Sequence, residues 1–251
     1  MKSEIILKNV NLDFPIYDTK SLSFRNEMSN FGKIIKKNHL ENNGKKIIQG
    51  LKDINFDIND GDRVALLGSN GSGKTTLLKL IAGIYAPTSG KVQTTGKLSC
   101  MLDIGFGFEQ DATGYENIIL SNITRGLSMK EIKSILPEIA KFSGLGDFLN
   151  MPLRTYSSGM QSRLAFSSAI ANNPGILLID EFFSTGDIEF SKKSEKKVLE
   201  MMSSSSILIF ASHDLELLNK VCNKAVCMKS GEIIFSGSTE DTINFYTNLI
   251  K

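Results

Sequence analysis

Apolar and polar residues alternate from Ile5 to Phe14, the period-two pattern of a strand buried on one face. The pattern then stops. Residues 18–46 are polar, rich in Lys and Asn, and contain the loop signal Asn42-Asn43-Gly44, which reads as a long excursion between two strands. Alternation resumes from Gln49 to Ile58, with Leu51, Ile54, Phe56 and Ile58 apolar, and Asn59-Asp60-Gly61-Asp62 is a turn. Arg63 to Leu67 is a short apolar strand that runs straight into a glycine-rich loop. Thr75 to Tyr85 carries Leu77, Leu78, Ile81 and Ile84 at helical spacing. Residues 114–150 read as helical, broken at Gly126 and between Gly144 and Gly146. Within them Met129 to Phe142 is one amphipathic helix that Pro137 is expected to kink or restart. A helix rich in Ala, Leu and Ser follows from Gly159 to Ala171. Ile176 to Ile179 and Ile207 to Ala211 are apolar without alternation, as strands buried on both faces require. Between them lie a charged helix, Ser191 to Met202, and a serine loop, Ser203 to Ser206. Val226 to Met228 and Glu232 to Phe235 read as a hairpin around Ser230-Gly231. No internal repeat is present. Strands alternating with helices imply an α/β fold with a mainly parallel core sheet.

Composition narrows the function classes. The 251 residues suffice for one large domain or two small ones with a sizeable core. A formal net charge of +2 gives no electropositive field of the kind nucleic acid or an anionic membrane would select. Cys100, Cys222 and Cys227 form no CxxC pair and read as reduced packing residues of a cytosolic protein. No apolar run approaches the ~18 residues of a spanning helix. The first ten residues lack a signal-peptide core, because Lys8 and Asn9 interrupt them. A cytoplasmic location is therefore expected, and any membrane role needs a partner that spans.

The glycine-rich loop carries the chemistry. Gly68-Ser69-Asn70-Gly71-Ser72-Gly73-Lys74-Thr75 fits G-x-x-x-x-G-K-[ST] at every position, between a strand and a helix. Backbone N–H groups must turn inward around phosphates, so side chains there must be small. The helix beginning near Lys74 adds its positive N-terminal dipole. Lys74 brings a point charge to the outer phosphates, Thr75 a hydroxyl to Mg²⁺, and Thr76 completes the candidate nucleotide contacts.

Ile176-Leu177-Leu178-Ile179-Asp180-Glu181 is an apolar strand ending in two acids. By itself such an ending says little; with a phosphate loop upstream it places Asp180 to hold Mg²⁺, directly or through water. Glu181 is then placed to polarise an attacking water. His213, in Ser212-His213-Asp214 after the second buried strand, is a candidate to reach the terminal phosphate. His39 lies in the polar excursion and receives no role.

Tyr156-Ser157-Ser158-Gly159-Met160-Gln161 stands between the phosphate loop and the Asp-Glu strand, with Arg163 in the helix behind it. In order and place it resembles the signature motif of ATP-binding cassette (ABC) ATPases, commonly LSGGQ. The likeness extends from Ile5 to Phe235 and includes a D-loop-like Ser184-Thr185-Gly186-Asp187. It implies one ABC ATPase domain over residues 1–251: a P-loop NTPase core, an antiparallel β subdomain and a helical subdomain at about 114–172. It also implies two copies packed head to tail around two ATP molecules, Ser157 and Gly159 of each touching the terminal phosphate held by the other. Binding would close the dimer and hydrolysis would open it. The aromatic stacking on adenine would come from the first strand, with Phe14 best placed and Tyr17 second.

YSSGM in place of LSGGQ, Phe14-Pro15-Ile16-Tyr17 before the polar excursion, Leu102 to Phe108 before Thr113-Gly114-Tyr115-Glu116-Asn117, and Asp180-Glu181-Phe182-Phe183 resemble the ATP-binding subunits that export cell-surface polysaccharides (O-antigen, capsule or teichoic acid). That implies a separate integral-membrane permease as partner and a place on the cytoplasmic face of the membrane. The position of the usual phosphate-sensing glutamine falls at Asp103 or Ile104, where no glutamine stands, and Gln110 is displaced. Little chain follows Gly237, so a fused sugar-binding domain is not expected here, and substrate recognition would lie with the permease. An ABC ATPase of another transporter class is the alternative nearest this reading, and three others fit less of the pattern. A non-transport ABC ATPase usually has two cassettes or coiled-coil insertions. A binding-only module would lack Glu181 or His213. A small-molecule kinase would not need Tyr156 to Gln161.

Overall fold

Strands that alternate and strands that are apolar throughout separate into two sheets. The structure, a computed structural model, describes residues 2–16, 46–102, 105, 107–171, 174–180 and 188–249. Tyr17 and most of the polar excursion lie outside the described residues, as do Asp103, Ile104, Glu181 and the D-loop-like segment 184–187. In chain order the elements are β1 (Glu4–Ile16), β2 (Lys46–Asn59), β3 (Arg63–Leu67), α1 (Lys74–Ile81), β4 (Ser89–Thr95), β5 (Leu98–Met101), α2 (Gly114–Thr124), α3 (Met129–Ser143), α4 (Ser158–Ala169), β6 (Ile176–Asp180), α5 (Ile188–Ser204), β7 (Ile207–Ala211), α6 (Leu215–Val221), β8 (Lys224–Lys229), β9 (Glu232–Ser238) and α7 (Thr239–Leu249).

The alternating strands form an antiparallel sheet in the order β2-β1-β4. The core sheet runs β5-β6-β7-β3-β8-β9, parallel from β5 to β8 and antiparallel only between β8 and β9. Its central strands feed two cores. On β3, Val64 and Leu66 join the apolar cluster shared with α1 and the antiparallel sheet, while Ala65 and Leu67 join the cluster under α5 and α6. Both faces of each strand are thus dry, which is why the sequence there lacks alternation. Each large apolar side chain so buried contributes about 1.5–3 kcal/mol. A third cluster, with Ile118, Ile139, Leu149, Leu153, Tyr156 and Leu164, holds α2, α3 and α4 together.

Several boundaries differ from the periodicity. The helix after the phosphate loop ends at Ile81 rather than Tyr85, since Gly83 takes a left-handed φ of 74°. Helix α3 runs through Pro137 instead of restarting there. Pro137 is exposed, so the hydrogen bond it forgoes faces water. Helix α5 extends into the serine run, to Ser204. Strands β4 and β5 and helices α6 and α7 were not expected. Strand β4 is a polar edge strand, largely exposed. Helix α7 buries Thr239 and Thr242 rather than an aliphatic stripe.

Helices α2 and α3 begin with the same device. Thr113 and Ser128 each accept from the N–H three residues on, and Glu116 and Glu131 reach back to the capping residue's own N–H. Ahead of α2, the fully buried Asn117 accepts from Glu109 N–H at 2.7 Å and donates to the carbonyls of Glu109, Ala112 and Thr113, fixing the loop that enters the helix.

Candidate functional site

The parallel register brings the candidate residues to one edge. Ala211 on β7 pairs with Leu66 on β3 and with Asp180 on β6. The glycine-rich loop, Asp180 and the segment Ser212-His213 therefore leave the sheet side by side at its carboxyl end, where open α/β sheets bind ligands.

The loop is folded tightly on its own backbone. A Cβ on Gly68 would stand 2.5 Å from the carbonyl of Met228, so the strand next door leaves no room for one. Ser72 N–H bonds the carbonyl of Ser69 at 3.1 Å, and α1 begins as Leu77 N–H bonds Gly73 at 2.8 Å. Lys74 is nearly buried, and its Nζ donates to the carbonyls of Gly68 at 2.8 Å and Ser69 at 3.1 Å. The Ser72 hydroxyl is buried without a hydrogen-bond partner among the described residues. A buried, unsatisfied hydroxyl in a glycine-rich loop at a helix N-terminus fits a phosphate oxygen as the missing partner.

Across the cleft, Thr75 Oγ1 donates to Asp180 Oδ2 at 2.5 Å. A hydroxyl and a carboxylate in contact, beside an anion cradle, are the hard oxygen donors that Mg²⁺ takes from protein when phosphates and water supply the rest.

The loop forms one wall of a cleft of about 760 Å³, the size of a small-molecule site. Phe14, Ile48 and Gln49 line its far end. Phe14 is half-buried and meets Tyr85 edge-on, with ring centroids 5.3 Å apart. The cleft also includes Gly50, Lys52, Leu102, Ser230 and Gly231, which sequence reasoning did not assign to the site. The sequence marked Gly50 and Lys52 as strand, Leu102 as part of the segment before Thr113 and Ser230-Gly231 as a turn, but nothing in it tied any of them to the loop.

Ser157, Gly159 and His213 do not line this cleft, nor do Gly68 and Ser69, whose carbonyls hold Lys74 Nζ. Ser157 caps α4, its hydroxyl accepting from Met160 N–H at 3.2 Å. Gly159 lies two residues on, where a Cβ would meet nothing nearer than Ser157 Oγ at 3.9 Å. The start of α4 is thus an open helix N-terminus, without a ligand-bearing wall of its own. Tyr156 anchors it, its buried hydroxyl donating to Phe148 O at 2.6 Å. Burial also raises the Tyr156 hydroxyl above the usual phenol range. His213 is exposed and faces a separate recess of about 390 Å³ between α5 and α6, alongside Glu195, Leu199 and Met202. Asp214 caps α6, accepting from Leu217 N–H at 2.9 Å. Glu181, next after Asp180, lies outside the described residues.

Among the described residues no helix is long and apolar enough to cross a membrane. The family described as ABC transporter matches residues 51–184. The O-antigen export system ATP-binding protein RfbE of Yersinia enterocolitica is 42% identical over 235 residues, covering 92% of this chain and 96% of that protein. The teichoic acids export ATP-binding protein TagH of Listeria innocua is 34% identical over 248 residues, 99% of this chain and 71% of that protein. The ATP-binding cassette MJ0796, solved as a dimer in a post-hydrolysis state with ADP and Pi, superposes with a TM-score of 0.64 at 23% identity, over 94% of this chain and 98% of that one. At that identity the likeness is one of fold.

Proposed function

The chain belongs to the ABC transporter family, and from that premise we propose that it is the ATP-hydrolysing subunit of an exporter of lipid-linked cell-surface polysaccharide, acting through a separate membrane permease. The observation that carries the ATPase reading is the meeting of Thr75 with Asp180 beside the buried, unpartnered Ser72 hydroxyl. The likeness to O-antigen and teichoic acid export proteins supports the cargo class.

In this reading the loop N–H groups and Lys74 bind the phosphates of ATP, and Phe14 presents its ring to the base. Thr75 and Asp180 hold Mg²⁺, which would neutralise charge developing on the transferring phosphoryl group. Glu181 orients and polarises the attacking water. His213 leaves its recess and turns toward the terminal phosphate. Ser157 and Gly159 lie outside their own chain's cleft, which supports their service to a second copy: an exposed N-cap serine and an open glycine are an anion site waiting for the partner's phosphate. The whole chain then works as one cassette, with a helical subdomain at about 114–172, on the cytoplasmic face of the membrane.

The test is genetic and chemical together. Deleting the protein from its host should remove the surface polysaccharide and leave lipid-linked glycan inside. Restoring the wild-type chain should return it to the surface, and Lys74→Ala should not. An intact surface coat after deletion, or rescue by Lys74→Ala, would refute the proposal.

A further inference from the structure

Three glycines from three separate segments meet behind the phosphate loop. Gly50 is in β2, Gly73 closes the loop, and Gly231 forms the turn between β8 and β9. A Cβ on Gly231 would stand 2.7 Å from the carbonyl oxygen of Gly50, 3.1 Å from its carbon and 3.3 Å from Leu51 Cα. A Cβ on Gly73 would lie 3.3 Å from Gly231 Cα and 3.4 Å from Gly50 O. Backbone packs on backbone here, and the one side chain that enters the contact is Leu51, whose Cδ2 would lie 3.4 Å from a Cβ on Gly73.

Hydrogen bonds tie the same segments. Gly231 N–H donates to the carbonyl of Ser72, inside the loop, at 2.9 Å, and Lys52 N–H donates to the carbonyl of Gly231 at 2.8 Å. The turn is therefore a strut between β2 and the loop. It also carries the chain through left-handed backbone, with φ of 50° at Ser230 and 84° at Gly231. At its other side Gly50 abuts the aromatic wall: a Cβ there would sit 2.6 Å from Phe14 Cε2 and 3.1 Å from Cδ2.

We propose that Gly231 and Gly50 are positioning residues for nucleotide binding: the contact of Gly50, Gly73 and Gly231 sets the phosphate loop's shape and its spacing from the Phe14 ring. This rests on the reading of the cleft as an ATP site. The two substitutions press on different neighbours. A methyl at Gly231 collides with the Gly50 carbonyl and pushes back on Gly231, whose N–H is bonded to Ser72, so it disturbs the phosphate end. A methyl at Gly50 meets chiefly the Phe14 ring, so it disturbs the base end.

The experiment measures Mg-ATP and Mg-tripolyphosphate affinity by calorimetry for wild type, Gly231→Ala, Gly50→Ala and the control Gly61→Ala. Gly61 also has a left-handed φ, 91°, but a Cβ there meets nothing within 4 Å. The control shares the backbone strain without the collision. Gly231→Ala is expected to weaken both ligands by roughly tenfold or more, the scale of effect of a small misplacement at a binding site. Its ligand-free melting temperature is expected to fall further than that of Gly61→Ala, so affinities are compared on the folded proteins, well below both transitions. Gly50→Ala is expected to weaken ATP and leave tripolyphosphate within about twofold, and it carries the test alone should Gly231→Ala not fold. Affinity of Gly231→Ala within about twofold of the control would overturn the proposal, as would Gly50→Ala weakening both ligands equally or neither. Failure of the wild type to bind ATP would instead refute the ATP site itself.

Discussion

Lys74 folds back onto the carbonyls of Gly68 and Ser69, so one ammonium group both shapes the loop and supplies its charge. Replacing it with alanine should weaken ATP binding by roughly ten- to a hundredfold, the worth of a charge-assisted hydrogen bond of about 1.5–3 kcal/mol. Calorimetric titration with ATP checks this, and unchanged affinity would remove the loop from the binding site. Thr75→Ala leaves the loop's backbone alone but takes the hydroxyl from Asp180. It should depress Mg²⁺-dependent turnover far more than metal-free nucleotide binding, read from ATPase rates across a magnesium titration. At this scale the sequence was informative wherever chemistry demands a residue type. Gly68 to Thr75, Asp180 and Ser157 stood out because a strand–loop–helix junction, an acid at a buried strand's end and a helix N-cap each leave a local pattern, and the structure places them at those junctions. Gly50 and Gly231 did not, because their part is a contact between positions 181 apart in the chain, and no local pattern records it.

The capping boxes of α2 and α3 make a pH prediction at the scale of elements. Hydrogen bonds from Ser128 and the nearby Lys97 lower the Glu131 carboxyl from 4.5 to about 2, and Thr113 lowers Glu116 in the same direction. The folded form holds the charged carboxylate more firmly than the unfolded chain does. The stabilisation is therefore fully present above pH 4.5 and is lost as pH falls toward about 2. Urea denaturation should show wild type more stable than Glu131→Gln at neutral pH, with the gap narrowing across that window. A constant gap would exclude the carboxylate as its source. A second element-level joint lies where α3, α4 and α5 converge. Phe142, Phe166 and Phe190 contact one another at 5.8 to 6.5 Å between centroids, with Arg163 over Phe190 at 4.8 Å and Lys193 over Phe142 at 4.2 Å. Phe166→Ala should cost about 3–5 kcal/mol, typical of emptying a buried aromatic site, measured by the same denaturation. Periodicity found β3, β6 and β7 because both their faces are dry. It missed β4 because that edge strand is mostly exposed and reads as polar loop. It missed α7 because buried threonines, not leucines, mark its inner side.

At the scale of the whole molecule, one chain gathers the glycine-rich loop, Asp180 and Phe14 along a single cleft, while Ser157 and Gly159 face elsewhere. In the proposed reading this separation has a purpose, because two copies in opposed orientation would bring each α4 N-terminus to the other's phosphate. The sequence held nothing on how these segments pack, and it is the structure that puts α2 to α4 on an apolar cluster of their own. The most direct test of a shared site is sedimentation velocity of the Glu181→Gln protein in Mg-ATP, a variant expected to bind nucleotide without turning it over. The account predicts a species of two chains that appears only with ATP and is abolished when Gly159→Asp is added. A single chain carrying bound ATP, or a dimer indifferent to Gly159→Asp, would contradict it.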